Sequence, residues 1–341
     1  MKETTIRTSS KPTRYILLTV LIVLAVVVSA AFWMCYQVVM AESNARYVGI
    51  RNVASEKVAK TIRGIEMNAL NIFDEVGRHL DNSQEVIKAL EHNAELNMDI
   101  RGYFAAFELN YYPEQGTWFE PYVYQPDVTG FEYKQVGSAR HNYTRSPWYI
   151  RAKKTSKTFW SEPYYYYDGT SMSGHYCTFI KPVFNTKGNL ACVCGADIKF
   201  DWLAKELEWV DETSKENDLL NKSHLLNSFN LLNRFEFYSV ILNNDGSCLA
   251  FPEDKALIIG DRNILKDMMQ KRSGIAELNV DGVECMIYYG PIEFVDWTLA
   301  VVVPMPDLWK PLIPVAAILV LLTLVGLLIV RIVCHRVLKK E

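Results

Sequence analysis

The stretch "RSPWYIRAKKTSKTFWSEPYYYY", residues 145–167, sets eight aromatic side chains among basic and polar residues. The rings come in bursts, Trp148-Tyr149, Phe159-Trp160 and Tyr164 to Tyr167, separated by polar gaps. A core strand would repeat every second residue and a core helix every third or fourth, and the bursts fit neither period. Some of these rings therefore line a surface concavity. Tyr165, Tyr166 and Tyr167 read as surface or edge-strand residues, with room for one of them to reach the hollow.

Other chemistry is thinly represented. The histidines at 79, 92, 141, 175, 224 and 335 form no His-Glu-x-x-His pair, and the chain has neither a Gly-x-Ser-x-Gly elbow nor a phosphate-binding glycine loop. His141 and His175 lie near the aromatic stretch in sequence and read as structural or solvated. Cys177, Cys192, Cys194, Cys248 and Cys285 are an odd set, which cannot close into intramolecular bridges alone. A bridge from Cys177 is one option and small buried hydrophobes the other. Cys192-Val193-Cys194 lacks a second ligand pair, so no zinc site is expected. The sequence assigns no catalytic residue, metal or cofactor. A net charge of −3 with no long basic run in the middle of the chain argues against nucleic acid as a partner. Asn142-Tyr143-Thr144 and Asn221-Lys222-Ser223 fit a glycosylation pattern that is common by chance.

The rings must be held by something, and the chain of 341 residues has material for more than one folding unit. Ile16 to Met34 carries no charge, and Leu312 to Val330 is broken only by Pro314, Thr323 and Gly326. Each has the roughly 20 residues that a helix needs to cross a bilayer's hydrocarbon. Lys2, Arg7, Lys11 and Arg14 precede the first run, and Arg331, Arg336, Lys339 and Lys340 follow the second. By the positive-inside rule both ends are cytoplasmic and residues 41–310 lie on the far side. Ser29-Ala30-Ala31 would suit a signal-peptide cleavage, but the apolar run is long for a 7–15-residue signal core.

Beyond the first span, Val58, Ile62, Ile65, Ala69, Ile72, Phe73, Val76 and Leu80 recur at helical spacing, predicting a long amphipathic helix from about Ser43 to Leu80. Asn82, with Glu85 three residues on, predicts a capping box and a second helix through about Leu96. Hairpin signals follow around Pro113–Gly116 and Asn185–Gly188, with a short helix between them that has Ser146 at its N-cap and Pro147 at N1. A helix over "DWLAKELEWV" and a charged connector lead to two further hairpins, around Asn244-Asp245-Gly246 and Asp281-Gly282, with one or two helical turns between. "WTLAVVVP" is the closing strand. Two units thus share the order hairpin, helix, hairpin, an internal repeat of architecture.

That order resembles the double Cache family, the extracytoplasmic sensor modules of bacterial chemoreceptors, sensor kinases and related transmembrane regulators. The resemblance covers 41–310 and rests most on Trp148-Tyr149 with Ala152, "WSEPY" at 160–164, "GADI" at 195–198, and "NNDGSCLAFP" followed by "WTLAVVVP". It implies an α+β fold of two tandem PAS-like antiparallel-sheet units on a long N-terminal helix, flanked by two transmembrane helices. The divisions are 1–14 cytoplasmic tail, 15–40 first span, 41–97 helices, 98–203 membrane-distal unit, 204–234 helical connector, 235–308 membrane-proximal unit, 309–333 second span and 334–341 cytoplasmic tail. The family's ligand usually sits in the distal unit, and Trp148, Tyr149, Tyr164 and Asp197 fall on the pattern of its amino-acid- and amine-binding members. A buried carboxylate and ring faces would together restabilise an ammonium group stripped of water. Those that bind amino acids carry an arginine two residues before the tryptophan; here Ser146 stands there, and Arg145 lies one residue further out. The bland alternatives are that Trp148 seals the helix against the sheet and that Asp197 caps a helix near Trp202.

The resemblance implies a receptor in the plasma membrane that binds a small polar ligand and works as a homodimer, in chemotaxis or two-component signalling. Only eleven residues, Arg331 to Glu341, follow the second span, so the output lies in a missing domain or in a cytoplasmic partner. The rival is a membrane-anchored binding or scaffold protein with no output of its own.

Overall fold

The computed structural model describes residues 11–94, 100–127, 130–166, 173–216, 236–243, 245–252, 257–310 and 312–337. Tyr167, Asn221, Asn244, most of the charged connector and the outermost flanking charges lie outside the described residues.

The first span and the amphipathic helix form one continuous helix, α1 (Lys11–Arg78). At about 1.5 Å per residue it is roughly 100 Å long, so the start expected near Ser43 is an internal point. Leu18, Ile22, Val26 and Trp33 are exposed on its first half. Further on, Val58, Ile62, Ile65, Ala69, Ile72, Phe73 and Val76 are buried along one stripe, each worth about 1.5–3 kcal/mol where a large side chain leaves water. Asn82 Oδ1 accepts from the backbone N–H of Gln84 at 3.0 Å and of Glu85 at 3.4 Å, starting α2 (Ser83–Ala94). The reciprocal half of the expected capping box is absent, because the Glu85 carboxylate takes Lys88 Nζ at 2.8 Å instead.

The distal unit contains β1 (Gly102–Phe107), β2 (Pro121–Asp127), β3 (Gly130–Gln135), α3 (Pro147–Thr155), β4 (Phe159–Trp160), β5 (Tyr164–Tyr166), β6 (Gly174–Phe184) and β7 (Leu190–Lys199). The sheet order is β3-β2-β1-β7-β6-β4, with β5 also on β6, and every pairing is antiparallel. Alternation along the strands separates two cores. Ala105, Phe107, Cys192, Cys194, Ala196, Cys177 and Phe179 face α1 and α2, while Phe104, Ala106, Ile180 and Val193 face α3. Cys177, Cys192, Cys194 and Cys285 are buried free thiols, as the hydrophobe reading expects, whereas Cys248 is a free thiol only half-buried. Ser146 stands at the N-cap position of α3 with Pro147 at N1, but its side chain makes no capping bond.

Helix α4 (Phe200–Glu216) follows β7 without a loop. The proximal unit is β8 (Tyr238–Leu242), β9 (Cys248–Ala250), α5 (Arg262–Met269), β10 (Gly274–Val280), β11 (Val283–Pro291) and β12 (Thr298–Pro304), in sheet order β10-β11-β12-β8-β9. A short α6 (Met305–Trp309) leads to α7 (Leu312–Val337). The molecule is thus a mixed helix and antiparallel-sheet protein with two sheets on one long helix. Both α1 and α7 contain a segment long and apolar enough to cross a membrane. Trp309, at the end of α6 just before α7, packs on Tyr36 of α1 with ring centroids 5.6 Å apart.

Polar pins fix α1 to both sheets. Arg51 Nη1 donates to the Tyr289 carbonyl at 2.7 Å, and Tyr288 Oη to Asn44 Oδ1 at 2.8 Å. On the distal side Trp160 Nε1 donates to Glu66 Oε1 at 2.8 Å, and Lys181 pairs with Asp74. The units meet at Trp297, whose ring lies 5.3 Å from that of Phe200 and 6.4 Å from that of Trp160.

Candidate ligand-binding site

On the α3 side of the distal sheet lies a cavity of about 160 Å³. That is close to the roughly 150 Å³ of a cavity able to hold benzene, so the space suits a small molecule. Asp197 forms its floor. The residue is in β7 beside Thr178 of β6, its neighbours Ala196 and Ile198 point to the opposite core, and alternation turns its carboxylate into the hollow.

Three hydroxyls hold that carboxylate. Thr178 Oγ1 donates to Oδ1 at 2.7 Å, Tyr122 Oη donates to Oδ2 at 3.0 Å, and Tyr164 Oη lies 3.2 Å from Oδ1 and 2.8 Å from Thr178 Oγ1. Burial pushes the Asp197 pKa up to about 6, against the hydroxyls, which favour the ionised form. These bonds remove the helix-cap role from Asp197, which sits inside a strand.

Two glycines make the arrangement sterically feasible. A Cβ on Gly102 would meet Tyr122 Oη at 2.5 Å, so the bare backbone lets the Tyr122 ring cross β1 to reach Asp197. A Cβ on Gly195 would meet the Phe104 ring at 2.2 Å, and its lack lets Phe104 lie flat beneath the cavity.

Aromatic rings supply the walls. Trp148, at the start of α3, packs on Phe104 with centroids 5.1 Å apart, and Tyr164 stacks on Tyr176 at 6.2 Å. Tyr166 closes edge-on to Tyr176 at 6.3 Å. Of the residues singled out from sequence, Trp148, Tyr164 and Asp197 line this one cavity. Tyr149 and Arg145 do not. Tyr149 is buried in the core between α3 and the sheet, outside the cavity, and its hydroxyl donates to Glu108 Oε1 at 2.9 Å, fastening the helix to the sheet. Arg145 ends a 3-10 turn at Tyr143–Arg145 and is exposed.

Glu120, Tyr122 and His141 also line the cavity. Tyr122 follows from the β1–β2 pairing and Glu120 from its carbonyl's bond to Val136 N, which no feature of "WFEPYVYQ" alone reveals, although an acid isolated among rings was the available signal. Glu120 is 4% exposed, and its Oε2 has no hydrogen-bond partner. Its nearest cation is His141, with Nε2 at 3.5 Å. Burial, with the nearby Asp197 charge second, pushes the Glu120 pKa up to about 8, and burial pushes that of His141 down. Among the described residues no cluster of metal-ligating side chains occurs.

This architecture is similar to that of extracytoplasmic sensor domains among the solved structures. Residues 86–205, which include every lining residue named above, match the family model described as methyl-accepting chemotaxis protein-like, first PDC sensor domain. Among solved structures, the extracellular domain assigned to a histidine kinase, soHK1S-Z6, aligns with a TM-score of 0.60 at 18% identity, covering 81% of this chain and 99% of its own. The periplasmic sensory domain of the Campylobacter jejuni chemoreceptor Tlp1 gives 0.61 at 13% identity, with coverages of 80% and 99%. The ligand-binding domain of the Pseudomonas fluorescens chemoreceptor CtaA, in complex with L-isoleucine, gives 0.53 at 15%, with 81% and 98%. No match was found among curated proteins.

Proposed function

We propose that the segment between the two apolar helices is the extracytoplasmic receptor for a small amine or related polar cation, bound in the distal cavity. The observation that carries this is the Asp197 carboxylate, held by three hydroxyls at the floor of an aromatic hollow. A buried carboxylate with hydrogen bonds but no cationic partner is a standing demand for one, and ring faces nearby add cation–π attraction. That CtaA was solved with L-isoleucine and L-serine supports ligand binding by such a domain.

Packing supports a route for the output. Thr178 touches Asp197, while its neighbour Phe179 packs on Trp160 and Phe73 from the opposite face. Trp160 is bonded to Glu66 of α1 and lies against Trp297, which precedes β12 and thus α6 and α7. A cation that draws Tyr164 and Thr178 inward shifts this chain of contacts only if it binds one arrangement better than the other. Flanking basic residues orient both chain ends toward the cytoplasm. The protein acts as a homodimer and signals through cytoplasmic helices or a partner. A thermal-shift screen of the full chain in detergent against amines, amino acids and organic acids tests the reading. Stabilising hits should be amines and should be lost in both Trp148→Ala and Asp197→Asn. A hit that stabilises both variants as it does the wild type would refute the site.

A further inference from the structure

The cavity holds a second acid that the reading above leaves unused. Glu120 sits just before β2, where its carbonyl accepts from Val136 N at 3.1 Å, and its Oε2 makes no hydrogen bond, with only His141 Nε2 at 3.5 Å beside it in a largely aromatic wall. The groups that face it are His141 from the loop before the 3-10 turn, Tyr143 within that turn, Tyr122 of β2 and Asp197 of β7. Tyr143 Oη is already committed to the Phe107 carbonyl at 2.6 Å, and Tyr122 Oη to Asp197. No lysine or arginine lines the cavity among the described residues. A buried acid left without a donor is costly, and natural structures rarely keep one without a use.

We propose that Glu120 is a second anionic anchor of the cavity, so that the ligand is a cation carrying no carboxylate, and that the same anchor excludes α-amino acids. This rests on the amine reading and specifies it. Two acids and no fixed cation leave a ligand carboxylate with only His141 to face, and burial disfavours the charged form of that imidazole. Empty, the pocket keeps a proton on Glu120, first because burial disfavours the charged carboxylate and second because the nearby Asp197 carboxylate repels it. An arriving cation reverses the preference. The Glu120 O–H bond breaks, the electron pair stays on the carboxylate, and the proton leaves to buffer through the exposed side of His141.

The test is isothermal titration of the full chain in detergent with 1-butylamine and with L-norvaline, the same skeleton with and without a carboxylate. Titrating at pH 7 in two buffers of different ionisation enthalpy counts protons. The expected results are butylamine binding at least about tenfold tighter than norvaline, with roughly 0.5–1 proton released per butylamine. Glu120→Gln should abolish the release, weaken butylamine by about tenfold and narrow the preference. A ligand-free control is the melting temperature of Glu120→Gln, which should match the wild type near pH 5 and exceed it near pH 8. Norvaline binding as tightly as butylamine, or proton release unchanged in Glu120→Gln, would overturn the proposal. If butylamine binding depends on Asp197 but not on Glu120, the amine reading stands and this inference falls. If neither probe binds, both fall.

Discussion

At the scale of the residue, the cavity is defined by acids that cost stability when empty. Asp197 and Glu120 both have folded pKa values raised above their ordinary ones, to about 6 and about 8. The folded state therefore holds protons that the unfolded chain releases from about pH 4 upward. Stability from these groups is fully present below that point and is lost as pH rises through 6 and then 8. Buried Asp211, which accepts from Ser239 N and Oγ at 2.6 Å each and is pushed up to about 6, adds to the same slope. The unliganded protein should thus melt at lower temperature at pH 8 than at pH 5.5, and Asp197→Asn should flatten the lower part of the curve. A melting temperature that rises steadily from pH 5.5 to 8 would contradict the assignment. A steric prediction belongs here too. Gly102→Ala places a methyl against Tyr122 Oη, so it should release the tyrosine from Asp197 and weaken binding by about tenfold while the fold persists, as circular dichroism would report.

At the scale of the element, α1 packs against both sheets through one continuous core. Phe73 is fully buried and stacks on Phe179 with centroids 6.5 Å apart, directly behind the strand that carries Thr178. Phe73→Ala should cost about 3–5 kcal/mol, measured by denaturant unfolding; a loss under about 1 kcal/mol would mean the helix is not part of the distal core. Much of this element was legible beforehand, because Val58, Ile62, Ile65, Phe73 and Val76 repeat at helical spacing. Its continuity with the span was legible too, because no proline interrupts the chain from the apolar run to Leu80, and α1 is unbroken from Lys11 to Arg78. The hairpin turns were equally readable. Asp281 and Gly282, both with positive φ, join β10 directly to β11 as the Asp-Gly pair implies. The site was legible only where rings cluster. Trp148, Tyr164 and Asp197 belong to one cavity, whereas Tyr149, about 100° further round α3 from Trp148, is turned out of the cavity into the helix–sheet core, a rotation that adjacency conceals. Tyr122 comes in through strand pairing with β1 and Glu120 through its carbonyl's bond to Val136 N, long-range facts that local spacing does not carry.

At the scale of the whole molecule, α1 runs along both units, and Trp297 of the proximal unit packs on Trp160 and Phe200 of the distal side. Trp297→Ala should leave amine affinity within about threefold but cut the link to the membrane. Ser29 and Ala316 line one groove between α1 and α7, so cysteines placed there report the distance between the spans. Their cross-linking rate should change on adding amine in the otherwise wild-type chain and stay constant in the Trp297→Ala chain. Equal responses in the two would move the route elsewhere.

The central claim is that the hollow above Asp197 takes up a small cation. Its most direct measurement is calorimetric titration of the full chain with the most stabilising amine, side by side with Asp197→Asn. The account predicts one site per chain and a loss of at least about a hundredfold, near 2.7 kcal/mol, in the variant. Affinity unchanged by Asp197→Asn would contradict it.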